Sequence, residues 1–273
     1  MWRLFVLLTA CNQVYELDGT RLPLPDAPYA CKELGTTMPP VFSRGVQQVS
    51  TQSLYSYHFT PTGLVVADGG GAIFVGGFDQ PLEEAKDIAA SPFAVLVDPH
   101  PSPDGQRIYV REYSDETLIV TGLSVFERTS SGWRKIEDAP TTIYTKGRPS
   151  TVFRGLTGDR MIFVGATNIE EYERDSTGWN ARGAHPRAEL GVNDRATMSL
   201  TADGLRAIFR GATTMMYTDR PNLDSWFRAP LPLDGVPKVD DAQLTEDCAR
   251  IYYSGRENTP GSVLDTVFFS QQL

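Results

Sequence analysis

Residues 102–110, Ser-Pro-Asp-Gly-Gln-Arg-Ile-Tyr-Val, decide the fold of this chain. In this segment a turn sequence comes directly before a run of β-branched and aromatic residues. An Asp side chain accepts hydrogen bonds inside its own turn, and Gly adopts positive φ at little steric cost, so the pair reverses the chain. The run that follows favours a pleated strand over a helix. The segment therefore predicts a tight turn that leads into a strand of an antiparallel sheet.

The same pattern recurs along the chain. Clear copies lie at 201–209 and 245–253, and weaker copies lie at 67–75 and 157–164. Their anchors are Asp68, Asp104, Asp159, Asp203 and Asp247, which are spaced by 36, 55, 44 and 44 residues. We predict that these five residues cap turns. A shared calcium site is the less favoured interpretation, because side chains one repeat apart cannot meet around one ion.

A second repeat carries one tryptophan per unit. An aromatic residue and an arginine precede Trp133, Trp179 and Trp226, which are spaced by 46 and 47 residues. These tryptophans either form a ring that binds sugar or peptide, or pack between neighbouring sheets. Packing is the favoured interpretation, because a scaffold needs the aromatic ring in every unit and a binding site needs only a few copies.

Short strands that repeat about every 45 residues are typical of the blades of a β-propeller. The Ser-Pro-Asp-Gly-x-Arg-Ile-Tyr sequence of residues 102–109 resembles the PD40, or WD40-like, repeat in the propeller of TolB and of many bacterial envelope proteins. The resemblance covers roughly residues 60–273. It implies an all-β fold and leaves several functions open, among them that of a binding scaffold.

We predict a single propeller domain over residues 41–273, with five blades or alternatively six. The last repeat stops after a strand near 266–269 and lacks the tryptophan segment of the earlier units. Residues 40–49 form an isolated strand pattern before the first repeat. Pairing of these two strands would close the ring and remove two open sheet edges. Helix signals are nearly absent, and only residues 81–88 are compatible with a short helix.

The first residues are typical of an export signal. Arg3 precedes the apolar run Leu-Phe-Val-Leu-Leu at 4–8, which is too short to span a membrane. Residues 8–11, Leu-Thr-Ala-Cys, resemble the bacterial lipobox, which implies cleavage before Cys11 and lipidation of that residue. We therefore predict a signal peptide over 1–10 and a proline-rich tether over 11–40. The alternative is a buried N-terminal strand with a free thiol.

The two remaining cysteines, Cys31 and Cys248, are predicted to form a disulfide. An exported protein meets an oxidising compartment, in which paired thiols oxidise. Cys248 also replaces the glycine that other copies of the repeat carry as Gly105 and Gly204, so a separate reason for cysteine is expected there. Two unrelated, partly buried thiols are the alternative.

The composition and motifs exclude several functions. A net charge of −9 argues against binding to nucleic acid, which depends on clustered cations. The chain lacks a Gly-x-Ser-x-Gly motif, a phosphate-binding loop and a Cys-x-x-Cys pair. His58, His100 and His185 have neighbours typical of surface or turn positions. We therefore predict no catalytic residue, no cofactor and no metal site.

These observations predict a lipid-anchored, non-enzymatic propeller in the envelope of a Gram-negative bacterium. It would face the periplasm or the cell surface, touch the membrane only through its lipid, and bind an envelope protein or a glycan. The alternative is a propeller glycoside hydrolase, whose carboxylate candidates at the central channel are Asp98, Asp194, Asp240 and Asp241. Three or more convergent carboxylates with an arginine would favour the enzyme, whereas small or apolar residues there would favour the scaffold.

Overall fold

The structure is a computed structural model. It describes residues 47–48, 54–77, 81–90, 94–114, 119–193, 196–239, 241–256 and 265–271, with the backbone only for 47–48, 254–256 and 265–271. Among these residues, the regular structure is β-strand apart from one helical turn, α1 (Thr141–Tyr144), and a 3-10 turn at Arg187–Glu189. No helix in this part of the chain is long and apolar enough to cross a membrane. Residues 81–88, whose sequence is compatible with a short helix, do not form one. They contain the edge strand Glu83–Glu84 instead.

The described strands form five antiparallel sheets. The first sheet contains β2 (Ser56–Phe59), β3 (Leu64–Gly69), β4 (Ala72–Gly77) and β5 (Glu83–Glu84). The second contains β6 (Ala94–Pro101), β7 (Arg107–Ser114), β8 (Val120–Thr129) and β9 (Gly132–Asp138). The third contains β10 (Arg148–Pro149), β11 (Phe153–Arg154), β12 (Asp159–Val164), β13 (Asn168–Asp175) and β14 (Gly178–Pro186). The fourth contains β15 (Met198–Leu200), β16 (Arg206–Arg210), β17 (Met215–Asp219) and β18 (Leu231–Pro232). The fifth contains β19 (Ala242–Leu244), β20 (Arg250–Arg256), β21 (Asp265–Gln271) and β1 (Gln47–Gln48).

This arrangement is all-β and propeller-like, as predicted, but the blades differ from the prediction in how they are built. Four sheets are each formed by one continuous stretch of chain, so the chain supplies four continuous blades rather than five. The fifth sheet is composite, because β19, β20 and β21 come from the last repeat and a fourth strand comes from a distant part of the chain. Its fourth strand is β1, in which Gln47 lies opposite Phe269 of β21.

Hydrophobic clusters lie between consecutive sheets. Apolar side chains alternate along the strands, so each sheet presents an apolar face to its neighbour. Each cluster contains buried side chains from both of the sheets that it joins. Example residues are Val66 and Ile108 for the first and second sheets, Tyr109 and Phe163 for the second and third, Phe153 and Phe209 for the third and fourth, Ile208 and Ile251 for the fourth and fifth, and Tyr57 and Tyr252 for the fifth and first. The sheets therefore pack around a ring, in the order of the chain.

The turn between the first two strands of the second, fourth and fifth sheets has the geometry that the Asp-Gly pattern predicts. Asp104 Oδ1 accepts hydrogen bonds from the Ser102 hydroxyl at 2.6 Å and from the Gln106 backbone N–H at 2.9 Å. Asp203 and Asp247 repeat this geometry in the fourth and fifth sheets. The residue after each Asp has positive φ, at 70° for Gly105, 69° for Gly204 and 57° for Cys248.

Asp68 and Asp159 do not occupy this turn position, so the prediction for these two residues is wrong. In the first sheet the position belongs to Thr62, whose hydroxyl lies 2.7 Å from that of Thr60. Asp68 lies inside β3, and the glycines after it form the next hairpin turn instead. Asp159 begins β12 and accepts a hydrogen bond from the Tyr109 hydroxyl of the second sheet at 2.6 Å.

The three repeated tryptophans lie between sheets. Trp133 packs against the cluster between the first and second sheets, Trp179 against the next and Trp226 against the one after that. Trp179 also donates a hydrogen bond from Nε1 to Glu137 Oε1 of the second sheet at 2.9 Å. All three rings are half-buried, and their positions are those of packing residues.

Candidate functional site

Polar side chains from several sheets meet where the first strands converge. We call this group the axial cluster, and its members are His58 of β2, Asp68 of β3, Asp98 and His100 of β6, Arg111 of β7, Arg148 of β10, and Asp241 next to β19. The rings of His58 and His100 have centroids 4.4 Å apart. His58 Nε2 lies 3.4 Å from Asp241 Oδ2. These contacts join the first sheet to the second and the fifth.

Asp98 is the most constrained member of the axial cluster. Its φ of 49° is rare for a residue other than glycine, and it lies where the register of β6 shifts between Val97 and His100. Its Oδ2 accepts hydrogen bonds from Arg111 Nη1 at 2.7 Å and from Arg148 Nη2 at 3.4 Å. Burial alone would raise the pKa of Asp98, but Arg148 and Arg111 outweigh it and hold that pKa well below its usual range. Asp98 is therefore ionised and links the second sheet to the third.

The other two carboxyl groups of the cluster are shifted in the opposite direction. Asp68 is 3% exposed and accepts a hydrogen bond from the Ser56 hydroxyl. Burial, with a further contribution from Asp98, raises the pKa of Asp68 to about 7. Burial also raises the pKa of Asp241, although the neighbouring His58 partly opposes this effect. Near neutral pH the cluster therefore holds at least one carboxyl group that is partly protonated.

His58 and His100 are buried deeply, each with 1% exposure. None of their four ring nitrogens has a hydrogen-bond partner among the described residues. Burial, followed by the proximity of His58, holds the pKa of His100 well below its usual range, so this ring is neutral at pH 7. The expectation of surface or turn histidines is wrong for these two residues. His185 is half-exposed and stacks on Trp226 at 3.8 Å.

Part of this cluster is predictable from the sequence. Asp98 and Asp241 are among the carboxylate candidates named above, whereas Asp194 and Asp240 lie outside the described residues. Asp68, which was predicted to cap a turn, and both arginines were not expected at this site. The alternation of Ser-Tyr-His-Phe in β2 was an available signal, because it places Tyr57 and Phe59 in one apolar cluster and His58 on the opposite face.

The cluster meets the count that would favour an enzyme, but its groups are poorly accessible. Three carboxyl groups and two guanidinium groups converge, while the exposed fractions are 15% for Asp98, 12% for Asp241 and 3% for Asp68. A glycosidase needs an acid and a second carboxylate on either side of a bond that a glycan can present to them. Among the described residues, no group of three or more His, Cys, Asp or Glu side chains is placed so that it could hold a metal ion.

Comparison with known proteins gives similarities at the level of solved structures. No protein-family model and no curated protein matches the chain. The chain is similar to TolB from Acinetobacter baumannii, with 12% identity, a TM-score of 0.46, and coverage of 82% of this chain and 55% of that one. It is similar to a putative TolB from Agrobacterium tumefaciens, with 12% identity, a TM-score of 0.44, and coverage of 83% and 89%. A putative 6-phosphogluconolactonase from Bacteroides uniformis gives 14% identity, a TM-score of 0.44, and coverage of 66% and 55%, so the chain spans about half of that protein.

The repeat and the ring of sheets together identify the fold as a β-propeller. Each clear copy of the repeat spans the turn between the first and second strands of a sheet and leads into the second strand. The tryptophan repeat fills the spaces between sheets. Both periodicities of the sequence therefore correspond to blades.

A separate pocket of about 500 Å³ lies between the third and fourth sheets. Small residues such as Ala166, Ala188 and Ala212 line it, together with Thr167 and the cation Arg187. Such a lining provides an apolar surface with one positive charge and no acid–base pair.

The predicted cysteine chemistry falls mostly outside the described residues, which do not include Cys11 or Cys31. Cys248 is described, is 3% exposed, and occupies the positive-φ position of its turn. It is not a free thiol.

Proposed function

We propose that the protein is a lipid-anchored, non-enzymatic β-propeller of the bacterial cell envelope that acts as a binding scaffold for a protein or a glycan. The observation that carries the non-enzymatic part is the pairing of the axial cluster. Its ionised carboxylate, Asp98, is held by Arg111 and Arg148, and its histidines are 1% exposed. Polar groups in this state hold sheets together and do not meet a large substrate.

We propose further that the ring has five blades and that β1 completes the fifth. The register of β1 against β21 supports this arrangement. Packing across the junction supports it as well, because Tyr252 of the fifth sheet stacks on Tyr57 of the first at 5.9 Å. A composite last blade leaves no open edge between the two ends of the domain.

The anchor and domain boundaries are proposed from the sequence pattern. Residues 1–10 would be removed on export, Cys11 would carry the lipid, and residues 11–40 would connect it to the propeller domain over 41–273. The protein would then face the periplasm or the cell surface. A tether of this kind lets a rigid propeller reach partners near the membrane.

A glycoside hydrolase remains the second candidate, because one observation favours it. Asp68, Asp98 and Asp241 converge near two arginines, and the pKa of Asp68 is raised to about 7, as is typical of a general acid. The low exposure of all three carboxyl groups weighs against this function.

A paired assay separates the two functions. Purified protein is immobilised and exposed to envelope extract, and in parallel it is incubated with a panel of aryl glycosides and peptidoglycan fragments. A scaffold retains a defined envelope component at near-stoichiometric amounts and hydrolyses none of the glycans. Hydrolysis that disappears in both Asp68→Asn and Asp241→Asn would replace the scaffold proposal with the hydrolase.

A further inference from the structure

The pocket between the third and fourth sheets is built from three connections of the chain. They are the turn between β12 and β13, the segment that follows β14, and the turn between β16 and β17. The pocket volume of about 500 Å³ is within the range of about 300–1,000 Å³ that is typical of small-molecule sites. None of its described lining residues belongs to the axial cluster, so it is a separate candidate site.

Backbone hydrogen bonds hold the walls of this pocket in place. The Arg187 N–H donates to the Thr167 carbonyl at 2.8 Å, which ties the segment after β14 to the turn before β13. The Asn193 N–H donates to the Arg210 carbonyl at 2.9 Å, which ties the end of the same segment to the fourth sheet. Val192 is 4% exposed and belongs to the hydrophobic cluster between the two sheets. A ligand would therefore enter a preformed site and would have little of the chain to order.

Arg187 carries a charge that no described carboxylate neutralises. It lines the pocket and is half-buried, and its Nη1 is shielded from solvent with no hydrogen-bond partner among the described residues. Glu189, two residues later, lies instead with its Oε2 3.6 Å from His185 Nδ1. Lys238 adds a second positive charge at the rim, since its Nζ donates to the Ala212 carbonyl at 2.5 Å. Burial of an unpaired charge costs free energy, which an anion beside Arg187 would offset.

We propose that this pocket binds a small monocarboxylate with an apolar body, and that the carboxylate pairs with Arg187. The planar guanidinium group matches a carboxylate through two parallel hydrogen bonds. The apolar body would lie against the small and apolar residues of the lining, such as Ala166, Ala188 and Val192. This binding site goes beyond the proposed scaffold function and does not depend on the partner that the scaffold binds.

The lining favours such an acid over two other kinds of anion. Phosphate groups are typically held by several backbone N–H groups or cations, whereas one cation lines the described part of this pocket. A peptide C-terminus brings backbone amide groups that need hydrogen-bond partners. Besides Arg187, the polar side chains in the lining are those of Thr167 and Asn193. A short apolar acid needs no partner beyond the guanidinium group, so it fits the lining best.

The test measures binding of small acids to the purified full chain in a buffer without carboxylates. Hexanoate and phenylacetate are titrated by ligand-observed NMR and by calorimetry. Hexanamide and phenylacetamide are the uncharged analogues, which keep the apolar body and remove the charge. Acetyl-Ala-Ala, which ends in a free carboxylate, probes the peptide alternative.

Three variants locate the site. Arg187→Gln removes the charge, and Ala188→Phe fills the pocket without a change of charge. Arg154→Gln is the matched control, because Arg154 is an exposed arginine of the same sheet. Arg154 lies opposite Asp159 at the start of β12, whereas the pocket lies beyond the end of that strand.

We expect both acids to bind at one site with a Kd below about 1 mM, and the amides to bind at least about 10-fold more weakly. Arg187→Gln should weaken binding of the acids by at least about 10-fold and make acid and amide bind alike. Ala188→Phe should abolish binding of both, and Arg154→Gln should bind as the parent does.

The proposal is overturned if the parent binds neither acid, if the amides bind as tightly as the acids, or if Arg187→Gln binds as the parent does. Tighter binding of acetyl-Ala-Ala than of both acids would replace the small acid with a peptide terminus. If Arg187→Gln does not fold, the difference between acid and amide in the parent and the effect of Ala188→Phe decide.

Discussion

At the scale of single residues, Asp68 shows how burial controls a titratable group. Its carboxyl group is 3% exposed, accepts a hydrogen bond from Ser56, and lies near the ionised Asp98. Both burial and Asp98 favour the neutral form, which raises the pKa of Asp68 to about 7. The folded state therefore keeps a proton there that the unfolded chain has lost above about pH 4.

This difference predicts how stability changes with pH. Because the folded pKa of Asp68 lies above the unfolded value, its favourable contribution is complete below about pH 4 and is lost as the pH rises through 7. Asp68→Asn removes the ionisation and keeps an acceptor for Ser56. We expect the variant to be more stable than the parent, and we expect this advantage in the free energy of unfolding to grow by about 1–3 kcal/mol from pH 5 to pH 8.

Urea unfolding of both proteins at pH 5 and pH 8 measures this gain. Asp224→Asn, a change at an exposed carboxyl group, is the control and should leave the pH dependence as it is in the parent. Equal pH dependence in the parent and in Asp68→Asn would show that Asp68 is ionised in the folded protein at neutral pH.

At the scale of structural elements, the turns explain what the sequence could and could not reveal. The turns at Asp104, Asp203 and Asp247 have the geometry that their local sequence predicts. The equivalent turn of the first sheet escaped notice because Thr62 supplies the side-chain oxygen, while Asp68 matched the pattern without making that turn. Local motifs therefore predicted hairpins well. The axial cluster depends on which faces meet across sheets, and no short motif records that information.

The turn glycines provide a prediction at this scale. Gly105 and Gly204 have nearly equal φ, 70° and 69°, so alanine is strained by a similar amount at both positions. A Cβ atom at Gly204 would also overlap the buried ring of Phe153, whereas at Gly105 its nearest neighbour is Thr62 Oγ1 at 3.2 Å. We expect Gly105→Ala to cost about 1–2 kcal/mol and Gly204→Ala to cost about 1–3 kcal/mol more.

Urea unfolding of the two variants side by side measures this difference, and Gly105→Ala serves as the control for backbone strain alone. Equal losses of stability would mean that the Phe153 ring moves aside freely. That outcome would contradict the tight packing between the third and fourth sheets.

At the scale of the whole molecule, contacts between sheets repeat as the sequence does. Arg174 of the third sheet donates to Glu137 of the second at 2.9 Å. Arg220, one period later, donates from the end of the fourth sheet's β17 to Glu171 of the third at 2.8 Å. The sequence showed that these arginines recur with the tryptophans, but not that each joins its sheet to the preceding one. The junction between the fifth and first sheets uses different residues, among them Gln243 and Phe59.

Gln243 tests that junction. Its side chain accepts a hydrogen bond from the Phe59 backbone N–H and donates one to the Phe59 carbonyl, both at 2.8 Å, across 184 residues of chain. Gln243→Ala removes both bonds and leaves a cavity at a buried position, so we expect a loss of about 2–4 kcal/mol. Gln106→Ala, in an exposed turn, should change thermal stability little. A change in Gln243→Ala no larger than in this control would mean that the first and fifth sheets are held together by other contacts.

The last prediction concerns Cys248 and the predicted bridge to Cys31. Cys248 has a φ of 57°, where equivalent copies carry glycine, and its thiol is not free. A bridge from residue 31 to residue 248 would close a loop of most of the chain, which in the chain-entropy model stabilises the fold by about 4–5 kcal/mol. We expect Cys31→Ser to lose most of this stabilisation.

Cys248→Gly separates the bridge from the backbone strain. It also removes the bridge, but it restores the residue that adopts positive φ without a side-chain clash, so it should recover about 1 kcal/mol relative to Cys31→Ser. Thermal unfolding without reductant, with peptide mapping under the same conditions, measures both effects. A linked peptide that contains residues 31 and 248 is expected in the parent. Two reactive thiols in the parent would mean that Cys31 and Cys248 are not bonded to each other. Equal stability of the parent and Cys31→Ser would mean that such a bond does not stabilise the closed ring.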